Sequence, residues 1–142
     1  MDKPIAGYGF YIKRIDNALE KEANSNLQAL NLTMQQNRVL IHLAHAPERT
    51  LSLKALEEHF CAAQSTVAGL VSRLERKGLV EPLSDPSDRR IKLVRLTEEG
   101  ARLYAASRQN VVESEERLTS LLTAEEKQTL LACLKKVYEA VK

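Results

Sequence analysis

Two short stretches gather the side chains best able to trade hydrogen bonds and charge with a partner. The first holds Gln64, Ser65, Thr66, Gly69, Ser72, Arg73 and Arg76; the second is the polar run Asp85-Pro86-Ser87-Asp88-Arg89-Arg90. Neither is equipped to make or break bonds. No Ser-His-Asp set, glycine-rich phosphate loop or paired buried carboxylate can be assembled from these residues, so no enzyme is expected. What they offer is recognition. Serine hydroxyls donate or accept, a glycine admits close backbone approach, guanidinium groups match phosphate, and a neighbouring carboxylate such as Asp88 can hold an arginine in one pose.

Such groups need a scaffold, and the apolar spacing supplies one. Tyr8, Ile12, Ile15, Leu19, Ala23, Leu27 and Leu30 recur at steps of three or four, which predicts one long amphipathic first helix over 4–30 that starts with Ile5 on the same stripe. Thr33 with Gln36 forms a capping box for a second helix, which Pro47 ends, and Ser52 caps a third that turns Leu53, Leu56 and Phe60 inward. After Cys61-Ala62-Ala63 comes a fourth helix. Its Val67, Leu70, Val71 and Leu74 share one face, and Gly78 is the expected C-terminal glycine. Ser65, Gly69, Ser72 and Arg76 then occupy the opposite face, with Ala68 and Arg73 at its margins. Leu79–Leu83 and Ile91–Leu96 read as a hairpin around a Ser84–Arg90 tip, with Pro82 placing the first strand at an edge. Thr97 opens a further helix, and Thr123 with Glu126 caps the last, whose Leu130, Leu131, Leu134, Val137, Tyr138 and Val141 make a stripe wider than one core needs.

Helix, turn, helix and hairpin in that order predict a mainly α chain containing a winged helix-turn-helix. A helix about 10 Å across fits the major groove of duplex DNA when its other side is anchored in a core. The fourth helix would read base edges through Ser65, Gly69 and Ser72, with Gln64 and Thr66 adding hydrogen bonds near its start. Arg73, Arg76 and Lys77 suit backbone phosphates. Arg90 suits the narrow minor groove, with Arg89 and Lys92 beside phosphates. Charge placement agrees: seven basic and four acidic side chains lie between Arg73 and Arg95, an excess that covers the whole chain's formal +2.

The ordered fragments Gln64-Ser65-Thr66-Val67, Leu70-Val71, Arg73-Leu74-Glu75-Arg76-Lys77-Gly78-Leu79-Val80, Asp85 to Arg90 and Leu96-Thr97-Glu98-Glu99-Gly100 resemble the MarR family of bacterial transcription regulators. The resemblance covers nearly the whole chain. It implies a homodimer built from the first and last helices, a winged lobe on each side, a pseudo-palindromic double-stranded operator, repression as the usual outcome, and frequent relief by small phenolic or other aromatic anions. Three departures stand out. Gly69 replaces a larger polar or basic residue, Ala62-Ala63 replaces a Ser or Thr helix start, and Tyr8-Gly9-Phe10-Tyr11 lacks the first-helix cysteine of the peroxide-sensing branch.

The expected organisation is therefore one unit over 1–142, with the winged helix-turn-helix lobe at 33–97 and dimerisation helices at 4–30 and 98–142. Tyr8, Tyr11 and Arg14 would line an effector pocket, core or dimer packing being the other reading of the tyrosines. A protein-interaction module without sequence-specific DNA binding is the alternative function; it would need neither Arg90 nor symmetry. Neither a membrane span nor a signal peptide is found, which predicts a cytoplasmic protein. His42, His45, His59 and Cys61 do not form a convergent ligand set, so no metal or other cofactor is expected. Cys61 and Cys133 match no disulfide or CxxC spacing and are expected as reduced, mostly buried thiols.

Overall fold

Local signals set most element boundaries in the computed structural model, which describes Lys3 and residues 5–142; Met1-Asp2 and Pro4, where the first helical segment is expected to begin, lie outside. The elements run α1 (Tyr8–Ala29), α2 (Met34–Ala44), β1 (Thr50–Ser52), α3 (Leu53–Phe60), α4 (Gln64–Arg76), β2 (Val80–Asp85), β3 (Asp88–Leu96), α5 (Glu98–Leu118) and α6 (Ala124–Val141), with a 3-10 turn at Pro47–Arg49. The capping boxes at Thr33/Gln36 and Thr123/Glu126 both form. Ser52 accepts from the Ala55 amide at 3.0 Å. Ile5, placed on the first helix by its spacing, precedes α1 and is exposed, because Gly7 is the N-cap.

Packing separates the chain into two compact units, 1–110 and 111–142. The first holds the apolar core, in which Leu40, Leu43, Leu56, Leu74, Val39, Val67 and Val94 are fully buried. All four inward residues of α4 belong to that core, each burial contributing about 1.5–3 kcal/mol. The second unit contains the end of α5 and α6. No residue of α6 is buried within the chain, so Leu130, Leu134, Val137 and Val141 lie open.

The sheet has three strands in the order β1-β3-β2, which makes Pro82 an edge residue as its missing N–H requires. Sequence patterning shows two of these strands. β1 is three residues long, too short to display an alternation, and becomes a strand by pairing Leu51 with Val94. The hairpin is also longer than expected. Asp85 Oδ1 accepts from the Ser87 amide and hydroxyl at 2.8 and 2.6 Å, closing the turn over Pro86-Ser87 and letting pairing reach Asp85 and Asp88.

One junction joins α4, the sheet and α5. Gly78 adopts φ +75°, the left-handed turn that a glycine reaches without steric cost, and Thr97 Oγ1 donates to its carbonyl at 2.7 Å. The Thr97 amide donates to the Leu79 carbonyl at 3.1 Å, while Gly100 presses on the same carbonyl so closely that a Cβ there would sit 2.1 Å from the oxygen. The absent side chain at residue 100 is what lets α5 start here.

A ring cluster ties α2 to α3 and α5. His42 stacks on His59 with centroids 4.4 Å apart, and Tyr104 Oη and His45 Nε2 lie 3.0 Å apart. Burial, then the charges of His59, Arg38 and His45, hold the His42 imidazole below its ordinary 6.5. The two thiols differ from expectation: both are free but exposed, Cys61 because it occupies the left-handed C-cap of α3 at the surface, Cys133 because α6 is uncovered within the chain.

Replacing Gly100 with Ala should destabilise the fold by about 1–3 kcal/mol, since the collision with backbone outweighs the roughly 1 kcal/mol that alanine gains in a helix; urea unfolding reads the difference. A second consequence concerns pH. The folded chain resists protonating His42 and the unfolded chain does not, so this group's contribution is intact above 6.5 and declines as the pH drops below it. The urea midpoint should therefore fall more steeply below pH 6.5 in the native chain than in His42→Gln.

Candidate nucleic-acid interface

With Val67, Leu70, Val71 and Leu74 locked inward, α4 must present its other side, and the structure places Gln64, Ser65 and Thr66 exposed along its first turn. Gly69 and Ser72 continue that ridge half-exposed, and Arg73 and Arg76 stand exposed at its end. Arg76 Nη2 donates to Ser72 Oγ at 3.4 Å. The ridge is low because its side chains are small. Ala63 caps the helix without a side-chain hydrogen bond, leaving first-turn amides available to an outside acceptor at the positive end of the helix dipole.

The wing brings together the other predicted residues. Lys92 pairs with Ser84 and Asp88 with Asp85, so Arg89, Arg90 and Ile91 fall between two adjacent residues of β2 and bulge from the ladder. Asp88 accepts twice from the Arg90 guanidinium, Nε to Oδ1 at 3.1 Å and Nη2 to Oδ2 at 3.0 Å, and once from the Arg90 amide at 3.0 Å. These bonds hold the Asp88 carboxyl below its usual range and the Arg90 guanidinium above its own. The Arg90 side chain nonetheless remains 91% exposed. It is oriented and still open to a partner. Between wing and helix runs a groove of about 470 Å³, bordered by Ser72 and Glu75 on one wall and by Leu83 and Lys92 on the other.

Lys77 departs from its expected phosphate-facing role. Its Nζ donates to the Asn31 carbonyl and, at 2.9 Å, to Gln36 Oε1, which fastens the end of α4 to the turn between α1 and α2. Gln36 also accepts from the Thr33 amide, so one buried side-chain oxygen serves both the α2 cap and Lys77.

Tyr8, Tyr11 and Arg14 all lie on α1. Tyr8 and Tyr11 are exposed, and the Arg14 guanidinium sits 5.2 Å from the Phe10 ring centroid. His42 and His59 meet as stacked rings rather than converging on a point, and among the described residues no three His, Cys, Asp or Glu side chains are grouped to hold a metal. Among those residues, too, no helix is long and apolar enough to cross a membrane.

The surface so assembled is a low, polar helix ridge beside an outstretched arginine. The chain that carries it is similar to known proteins. The profile of the MarR family matches residues 32–92. The homoprotocatechuate degradative operon repressor of Escherichia coli is 33% identical over 100 residues, 70% of this chain and 66% of that protein. The multiple antibiotic resistance protein MarR of E. coli is 32% identical over 134 residues, 94% of this chain and 92% of that protein. Among solved structures, the S. aureus MepR–DNA complex superposes with a TM-score of 0.84 at 27% identity, covering 95% of this chain and all of that one.

Gly69 carries a stability cost that the ridge accepts. A Cβ there would meet only Arg73 Nη1, at an ordinary 3.9 Å. Gly69→Ala should therefore stabilise the protein by about 0.5–1 kcal/mol, the usual gain of alanine over glycine inside a helix, measured by thermal or urea unfolding.

Proposed function

This chain belongs to the MarR family of transcriptional regulators, and we propose that it works as a homodimeric repressor that reads duplex DNA with α4 in the major groove and Arg90 in the minor groove. The observation that carries this reading is the Asp88–Arg90 pair: a guanidinium fixed by two parallel hydrogen bonds yet almost wholly solvent-exposed, at the tip of a wing flanking a helix whose outer side chains are small. Holding the arginine before contact lowers the entropy lost on binding, and the electronegative minor groove rewards its charge. Ser65, Gly69 and Ser72 are assigned to base edges. Gln64, Thr66, Arg73, Arg76 and Arg89 are assigned to hydrogen bonds and phosphates along the flanks.

Dimerisation accounts for the open apolar stripe of α6, together with exposed Ile12 and Ile15 on α1, because a second copy can cover what the chain leaves wet. Two copies would set their α4 helices about 34 Å apart, one duplex turn, and so favour a pseudo-palindromic operator. Release by a small aromatic anion is assigned to α1, where Arg14 supplies a cation and Tyr8 and Tyr11 supply aromatic faces. It is supported by a relative whose name ties it to an operon for degrading homoprotocatechuate, itself an aromatic acid.

Arg90→Ala should weaken binding to every duplex by about tenfold, whereas Ser65→Ala or Ser72→Ala should shift the preference among sequences. Fluorescence anisotropy against duplexes recovered from a random pool measures both effects. No binding by the native protein in dilute salt would refute the function, and equal changes of preference from all three variants would refute the division of roles.

A further inference from the structure

A second groove, of about 550 Å³, runs along the flank of α4 away from the wing. Its walls are Arg38 of α2 and Thr66 and Arg73 of α4, over a floor that includes Phe60 and Leu70. Arg38 is half-buried and firmly seated. Its guanidinium lies 4.5 Å from the Phe60 ring centroid, and Nη1 donates to Gln35 Oε1 at 3.0 Å. Both partners are uncharged, so the arrangement fixes the plane of the cation without neutralising it. Arg73 adds a second cation on the facing wall.

The geometry of a duplex gives this pair an occupant. A helix with its side chains is about 10–12 Å across and the major groove about 12 Å wide, so an inserted helix has a sugar-phosphate strand along each flank. On the wing side, the groove beside α4 carries Lys92. On the other side, the cations at the groove wall are Arg38 and Arg73.

We propose that Arg38 is a DNA-backbone contact outside both the recognition helix and the wing, binding with Arg73 a phosphate of the strand that passes along this flank of α4. The inference rests on the DNA-binding reading above. It commits the groove to a polynucleotide phosphate, which needs charge and planar hydrogen-bond donors rather than a closed pocket. Nothing in the local sequence marks Arg38 for this role, because it lies on a different helix from the residues it joins.

The test is a salt series on the full chain, reading affinity by anisotropy for a duplex recovered by the native protein and for a fixed mixed-sequence duplex. Each phosphate contact contributes about 0.9 to the slope of log affinity against log salt. Arg38→Gln should reduce that slope by about one contact and weaken both duplexes several-fold alike. Gln35→Glu, an exposed change that sets a carboxylate against the intact Arg38, should reduce it similarly and decides the matter if Arg38→Gln fails to fold. Native slopes in the folded variants would overturn the inference while leaving the regulator reading in place. A change in sequence preference with an unaltered slope would overturn it too, by moving Arg38 to a base. Failure of the native chain to bind any duplex would instead overturn the reading beneath it.

Discussion

The close approach of Gly100 to the Leu79 carbonyl is the constraint on which the arrangement turns. At that point α4 has just ended, β2 is about to start, β3 has finished and α5 begins. One carbonyl takes the Thr97 amide while the Thr97 hydroxyl bridges the Gly78 carbonyl and the Gly100 amide. Four elements are thereby referenced to a few backbone atoms. The angle between α4 and the wing is referenced to the same atoms, since β2 follows α4 through Lys77, Gly78 and Leu79 alone.

From that reference the two contact surfaces acquire opposite physical characters. α4 is held by apolar burial and shows small, uncharged side chains at Ser65, Gly69 and Ser72, with the cations Arg73 and Arg76 confined to its last turn. At its tip the wing is ordered by a carboxylate–guanidinium pair and an Asp85–Ser87 turn. The division follows from which side chains face water.

Much of this was legible in the sequence where the determining interaction is local. Capping boxes at Thr33/Gln36 and Thr123/Glu126, the serine cap at Ser52 and the inward quartet of α4 involve partners within a few positions, and the structure has them as read. The Asp88–Arg90 pair, two residues apart, is legible for the same reason. Interactions between distant segments are not. β1 exists only because β3 lies beside it, and Lys77 finds Asn31 and Gln36 at separations of 46 and 41 residues. The exposure of Cys61 depends on a left-handed cap that a non-glycine residue seldom adopts, and that of Cys133 on a helix face the chain itself leaves uncovered. The charge of Lys77 is visible in the sequence and its partners are not, which is why the sequence points it at phosphate.

Gln36 has a consequence of its own. Its side-chain oxygen takes the Thr33 amide and the Lys77 ammonium together, so the first turn of α2 and the last turn of α4 share a single buried acceptor. Fraying of the last turn of α4 takes one donor from Gln36, and fraying of the first turn of α2 takes one acceptor from Lys77. Local opening of one end therefore weakens the other, and the shared oxygen couples two segments 41 residues apart.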